Sequence, residues 1–193
     1  NWSYLAGPSE IPGNWNTIDF DDSSWLSGPS PLGYGDDDDI TVIEPVVSLY
    51  LRKTFQVEDV NEIAHGLLHM DYDDGFVAYL NGMEVVRENM GEPGTEVLPS
   101  DFAMTNIEAN IYRGLEPEKF FVENVAEYLV DGQNILSIQV HNANENLADL
   151  TALPILSFYY TDPPLPSETS EVTIRVQTDS YPEETSWTLV GVN

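Results

Sequence analysis

The sequence predicts an all-β sandwich on three observations. Apolar and polar residues alternate with period two through most segments, turn residues separate those segments, and no strand–helix–strand unit repeats. With 193 residues, 41% of them hydrophobic, the chain can build one large core and leave roughly 20 to 40 residues over.

In chain order, "FDDSSW" is expected to begin a helical turn at Asp21 and Asp22 that carries Trp25 inward, with calcium ligation as the alternative role of the two carboxylates. Gly28 to Pro45 is turn-rich, contains "GYGDDDDIT", and reads as a surface loop. In the first long strand, "VVSLYLRKTFQV", Val47, Leu49 and Leu51 face one way and Ser48, Tyr50 and Arg52 the other. "YDDGFVAYLNGMEVVREN" reads as a hairpin. Phe76, Ala78 and Leu80 alternate with Val77 and Tyr79, Asn81-Gly82 supplies the positive φ pair of a type I′ turn, and Met83, Val85 and Arg87 return. Glu88 to Gly114 is long and polar, a second surface loop. One short helix is expected from Asn124 to Val130, where Val125 and Leu129 share a face, Asn124 caps the start and Asp131-Gly132 ends it. "NILSIQVHN" sets Leu136, Ile138 and Val140 inward and Ser137, Gln139 and His141 outward, and "LPILSFYY" adds Leu156, Phe158 and Tyr160 as a closing strand.

Residues 1–160 therefore read as one domain. A proline-rich, semi-rigid linker follows over 161–171. The tail, 172–193, holds two strand-forming pieces, with Val172, Ile174 and Val176 on one face and Trp187 and Leu189 in register to join them. A lone two-stranded hairpin is marginally stable in water. The tail is thus expected to fold back on its own sandwich, to add strands to a neighbouring copy or module, or to begin a further β module.

Charge narrows the partners. Against 34 Asp and Glu stand 6 Lys and Arg, a formal net charge of −28, and such a field repels nucleic acid phosphates and anionic membrane surfaces. It suits divalent cations, high salt, or neutral ligands such as uncharged glycans. There is no cysteine, hence neither disulfides nor thiolate metal sites. No apolar run reaches the 18 or so residues of a membrane helix. Asn1 leads directly into domain-like sequence, so the chain reads as a mature protein or an excised module. Asn1-Trp2-Ser3 fits the N-glycosylation pattern, a short match at a chain end.

Four segments taken in order carry a resemblance: "FDDSSWLSGPSPLGYGD", "YLRKTFQV", "DDGFVAYLNGMEVVREN" and "VAEYLVDGQNILSIQVHN". Residues 1–160 resemble the galactose-binding-domain-like jelly roll, the sugar-binding domain of family 2 glycoside hydrolases and of accessory modules in secreted bacterial surface proteins. The resemblance implies a jelly-roll β-sandwich, a secreted or cell-surface location and, as members often carry one, a structural calcium. It does not specify a function.

Asp73 and Asp74 carry three readings. They cap the turn into the hairpin, with side-chain oxygens on nearby backbone N–H groups and Gly75 at positive φ. Alternatively Asp71, Asp73 and Asp74, with Asp36 and Asp37 of the acidic loop 36–39, give oxygens to calcium, which takes about 6 to 8 of them. A catalytic pair, the third reading, needs two carboxylates about 5 to 10 Å apart across a cleft, one with its pKa raised by burial. Adjacent Asp residues on a surface turn suit that least. His65 and His69, four apart on a strand, share a face and could hold a metal, but no third soft ligand accompanies them. Trp2, Trp15 and Trp25 read as core aromatics, whereas Tyr34 and Tyr112 lie in loops as candidate stacking platforms for a sugar.

Two functions of different class follow. One is a non-catalytic extracellular structural or adhesive module that joins neighbouring copies or modules by strand addition, head to tail, and so can build fibres. The other is a calcium-supported carbohydrate-binding module of a secreted polysaccharide-degrading enzyme. An enzyme ranks last, because no nucleophile, base and oxyanion-donor set, no Gly-x-Ser-x-Gly elbow and no phosphate loop assembles from these residues.

Overall fold

The computed structural model describes residues 1–161, so the linker over 161–171 (beyond its first residue) and the tail residues Val172, Ile174, Val176, Trp187 and Leu189 lie outside it. The strands are β1 (Trp2–Ala6), β2 (Leu26–Gly28), β3 (Leu32–Tyr34), β4 (Thr41–Val42), β5 (Ser48–Val57), β6 (Ile63–Asp73), β7 (Gly75–Leu80), β8 (Met83–Glu88), β9 (Glu118–Val122), β10 (Gly132–His141) and β11 (Leu150–Tyr160). They form an all-β sandwich of two sheets, ordered β2-β1-β5-β10-β7-β8 and β4-β3-β11-β6-β9. Among the described strands, only β3 and β4 pair in parallel.

The period-two pattern decides what lies between the sheets. Leu49 and Leu51 of β5, Ile138 and Val140 of β10, Leu68, Met70 and Tyr72 of β6, and Leu150 and Ala152 of β11 are all buried in one core. Each large apolar side chain so placed is worth roughly 1.5–3 kcal/mol. Tyr72, Phe76 and Phe120 link the two layers through edge-on ring contacts, with centroids 4.7 Å apart for Tyr72 and Phe76 and 5.3 Å for Phe76 and Phe120.

The far face of the six-stranded sheet departs from expectation. Ser48, Tyr50, Arg52, Ser137, Gln139 and His141 do point away from the main core, yet none is more than 2% exposed. Two loop segments cover them. Trp15 packs edge-on against Tyr50 and Tyr79, at centroid distances of 4.8 and 5.7 Å, while Ser48 Oγ donates to Pro99 O at 2.9 Å. Val77, Met90 and Ala103 form a small second core beneath this cover. Alternation shows that a face is polar, and long-range loop packing decides that it is dry.

Four local expectations are revised. The helix over Asn124 to Val130 is a single 3₁₀ turn, Val125–Tyr128, and Asn124 sits at φ 50, ψ 36 without a side-chain cap. The segment makes i→i+3 bonds, Glu127 N to Asn124 O and Leu129 N to Ala126 O, because the chain must enter β10 within a few residues. Gly75 is not at positive φ. It starts β7, where a Cβ would meet Ala103 Cβ and Met90 Sδ at 2.9 Å, so close packing demands the glycine. β11 lies between β3 and β6, inside its sheet. Leu156 and Phe158 pack on the core, and Tyr160 is 62% exposed. Trp2 and Trp15 are buried as expected, whereas Trp25 is partly exposed and packs edge-on against Phe20 at 5.7 Å. The Asn81-Gly82 turn has φ 50 and 88, and Asn81 Nδ2 donates to Tyr128 O at 2.8 Å and to Asn134 Oδ1 at 2.7 Å.

Candidate metal centre

The chain leaves the five-stranded sheet at Asp73 and enters the six-stranded sheet at Gly75. Pairing fixes this crossover on both sides: Asp73 lies opposite Thr151 of β11, and Asp74 N donates to His141 O at 3.1 Å. Tyr34, the last residue of β3, pairs with Leu150, so the loop "GDDDD" after β3 and Asp149 before β11 arrive at the same end of the sandwich.

The three carboxylates expected at the crossover itself, Asp71, Asp73 and Asp74, divide by role. Asp71 accepts from Asn110 N at 2.6 Å and Ile111 N at 2.9 Å. Asp74 accepts from Ile107 N at 2.7 Å and Ala143 N at 2.6 Å. Both carboxylates are thus engaged by backbone N–H groups, which is the capping reading, and together they pin residues 107–111. Glu108 lies within the pinned stretch. Asp73, between the two pins, is 2% exposed, and its carboxylate accepts no hydrogen bond from a described group. Its carboxyl is pushed up to about 8, first by burial and then by the charges of Asp74, Asp149, Glu108 and Asp36.

Carboxylate oxygens of Asp73, Glu108 and Asp149 lie within 4.8 Å of one another. Two oxygens that both contact a calcium ion at 2.3–2.6 Å can be at most about 5 Å apart. Asp36 joins them electrostatically: burial, then Asp149, Asp38, Glu108 and Asp37, raises it to about 6. One of its oxygens, Oδ2, is shielded from solvent without a hydrogen-bond partner, as are Asp38 Oδ1 and both oxygens of Asp39. Asp39 is raised to about 7 by burial and by Asp38 and Asp36, and Asp149 is raised by burial, Glu108 and Asp74. Among the described residues, no salt bridge reaches Asp73, Glu108, Asp149 or Asp36. Unpaired, shielded carboxylates are costly, and a hard divalent cation is the partner whose chemistry fits an all-oxygen donor set.

Other candidates fall elsewhere. Asp37 is exposed at φ 61 in the acidic loop. Tyr34 is 7% exposed and not a platform: Asn142 Nδ2 donates to its hydroxyl at 3.0 Å, and the hydroxyl faces Val46 O at 3.4 Å. The β3–β11 pairing carries it under the crossover. Tyr112 is 40% exposed, but its hydroxyl donates to Glu108 Oε2 at 2.7 Å, which orients that carboxylate. Asp22 pairs with Arg52 Nε at 2.9 Å and Asp21 accepts from Ser23 N at 3.0 Å. Asn1 is exposed. His65 is exposed and His69 half-buried, and neither joins a three-ligand group among the described residues.

No protein-family model matches the chain, and no curated protein does. Among solved structures it is similar to part of Bifidobacterium dentium β-glucuronidase complexed with coumarin-3-O-glucuronide, at 16% identity over 72% of this chain and 19% of that one, TM-score 0.47. It is similar to Bacteroides uniformis β-glucuronidase at 19% identity over 80% of this chain and 17% of that one, TM-score 0.47. A calcium-binding mutant of Bacteroides uniformis β-glucuronidase 2 is similar at 19% identity, covering 79% of this chain and 17% of that one, TM-score 0.47. The chain spans less than a fifth of the length of these enzymes.

Glu108, Asp149, Asp38 and Asp39 complete the acidic group, and the sequence did not single out the first two. Glu108 lies in a polar loop and Asp149 follows "NANENLA", with no spacing that ties either to Asp73. One glycine makes their meeting possible. Gly35 has φ +111, and a Cβ there would lie 2.5 Å from Asp149 Cβ and 2.8 Å from Ala148 O. Gly35→Ala is therefore expected to cost about 2–4 kcal/mol and to displace Asp149, weakening any calcium response of the melting temperature. Thermal denaturation with and without calcium measures both.

Proposed function

We propose that this chain is a non-catalytic accessory module of a larger secreted protein, a galactose-binding-like jelly roll that binds calcium at its sheet crossover and neutral glycans on its surface. The convergence of Asp73, Glu108 and Asp149 within 4.8 Å, from three separate segments, carries the calcium half of the reading. Asp73, Glu108, Asp149 and Asp36 would hold the ion. Bound there, calcium neutralises the crowded carboxylates and ties the loops at 35–39 and 107–111 to the start of β11. The resemblance of residues 1–160 and the surplus of negative charge favour a neutral saccharide over an anionic ligand.

Calorimetric titration of the metal-free protein with calcium is expected to show binding at about 10⁻³ M or tighter, the range of extracellular calcium modules. Calcium at about 100 times its Kd adds about 2.7 kcal/mol, a rise in melting temperature of roughly 5–10 °C. No heat and an unmoved melting temperature at millimolar calcium would refute the calcium half. Assembly with neighbouring copies through residues 172–190 remains a further proposal, tested by deleting 161–193 and comparing particle size.

A further inference from the structure

A cleft of about 470 Å³ lies on the covered face of the six-stranded sheet, and none of the acidic crossover residues lines it. Its volume falls in the range of small-molecule sites, about 300–1,000 Å³. One wall is the segment with Glu10, Ile11 and Asn16, the other is 96–100, and the floor is Tyr79 and Gln139.

Both walls are held from beneath. Arg52, 2% exposed, reaches up from β5: its Nη1 donates to Trp15 O and, at 3.0 Å, to Thr17 O, and its Nη2 to Phe20 O at 3.2 Å. The opposite wall is fixed by Ser48 Oγ on Pro99 O at 2.9 Å and by Asp101 Oδ2, which accepts from Leu98 N at 2.8 Å. The cleft is thereby preformed.

The floor is wired by one buried chain of hydrogen bonds. His141 Nδ1 lies 2.8 Å from Asp101 O, His141 Nε2 lies 3.1 Å from the side-chain amide of Gln139, and that amide lies 2.7 Å from the Tyr79 hydroxyl. Burial holds His141 neutral, with its pKa lowered to about 4 against the raising effect of Asp101. A carbonyl can only accept, so neutral His141 donates from Nδ1 and offers a lone pair at Nε2. The Gln139 atom facing that lone pair must then be the amide nitrogen, since amide O and N are assigned from their partners. Its oxygen therefore faces Tyr79, whose O–H donates to it. Tyr79 is left presenting hydroxyl lone pairs to the cleft as a fixed acceptor.

Acceptors also dominate the rim. Glu10 and Glu96 are exposed at the mouth, and no Lys, Arg or His lines the cleft. Ile11, Val97, Leu98 and Pro99 add apolar surface beside these polar groups. The occupant that matches is uncharged, carries several O–H donors and has apolar C–H faces. An anion meets carboxylates at the mouth, and an organic cation finds no charge on the floor.

We infer that this cleft is a subsite for a neutral saccharide, oriented by donation of a sugar hydroxyl to Tyr79 and bounded by Asn16 and Leu98. The inference rests on the reading of the chain as a glycan-binding module, though not on its calcium site. The test is amide and indole resonance mapping on the full chain. Neutral tetrasaccharides of β-1,4-linked glucose, mannose and galactose are the probes, with a galacturonate tetramer and tetramethylammonium as contrasts. At least one neutral tetrasaccharide is expected to shift the Trp15 indole and Gln139 side-chain resonances. Tyr79→Phe is expected to weaken that binding about 3- to 10-fold while the calcium response stays unchanged. Asn16→Ala gives the same readout should Tyr79→Phe fail to fold. A saccharide that shifts only resonances elsewhere overturns the cleft and leaves the glycan-binding reading standing. No shift with any neutral probe overturns both, and a preference for galacturonate or tetramethylammonium overturns the assigned ligand class.

Discussion

Asp73→Asn is expected to raise the melting temperature in calcium-free buffer and to lower it, relative to the parent protein, in millimolar calcium. The opposite signs share one cause. Asp73 is buried among Asp74, Asp149, Glu108 and Asp36, which lift its carboxyl from 3.8 to about 8. The folded state therefore holds this proton more tightly than the unfolded chain, and protonation stabilises the fold. That contribution is complete below about pH 4 and is lost as pH rises toward 8. Asp36, raised to about 6, and Asp39, raised to about 7, lose theirs earlier in the same window. The metal-free protein is expected to melt at least about 5 °C lower at pH 8 than at pH 5. Asparagine removes the buried charge and flattens this slope. Calcium also flattens it in the parent, by replacing protons, but asparagine takes away a charged ligand and with it most of the calcium-induced rise. Melting curves at both pH values, with and without calcium, contain every comparison. A slope unchanged by either Asp73→Asn or calcium would show that the crossover carboxylates are not held together as described.

Arg52→Met is expected to cost about 3–5 kcal/mol, the range for breaking a buried charge pair, and so to lower the melting temperature by about 10 °C or more. Arg52 is 2% exposed, pairs with Asp22 at 2.9 Å, serves the carbonyls of Trp15, Thr17 and Phe20, and lies 5.0 Å from the Phe20 ring. Methionine fills similar space but leaves those acceptors unpaired. Arg52→Lys should rescue little, because a point charge cannot reproduce the planar fork that reaches them together. Asp22→Asn, at a side chain 30% exposed, should cost about 1–2 kcal/mol. Early proteolytic cleavage within residues 8–25 of Arg52→Met is the second readout. Wild-type resistance there would mean that Arg52 is not what holds the segment.

Short-range patterning was legible in the sequence because it depends on neighbours along the chain. The alternation of Leu49 and Leu51, of Ile138 and Val140, and the Asn81-Gly82 turn placed strands and a hairpin correctly, since a pleated strand with one dry face writes its period into the letters. The short helix failed because Val125 and Leu129 satisfy a helical spacing over a stretch too brief to nucleate one. Tyr34 failed because a residue in a glycine-rich run can pair with β11 and be covered from a distance.

The candidate site shows the same division more sharply. Its acidic character and the involvement of Asp73 could be read from "YDDG", but Asp71, Asp73 and Asp74 are indistinguishable as letters. What separates two pins from one unsatisfied carboxylate is the backbone N–H of residues 107, 110, 111 and 143. By itself the sequence determined an acidic, cysteine-free all-β domain and where most of its strands run. Only the tertiary structure decided that Glu108 and Asp149 meet Asp73 and that the polar face of β5 and β10 is dry. Strand identity is set by local period, whereas the charge and solvation of a side chain are set by whatever distant segment folds against it.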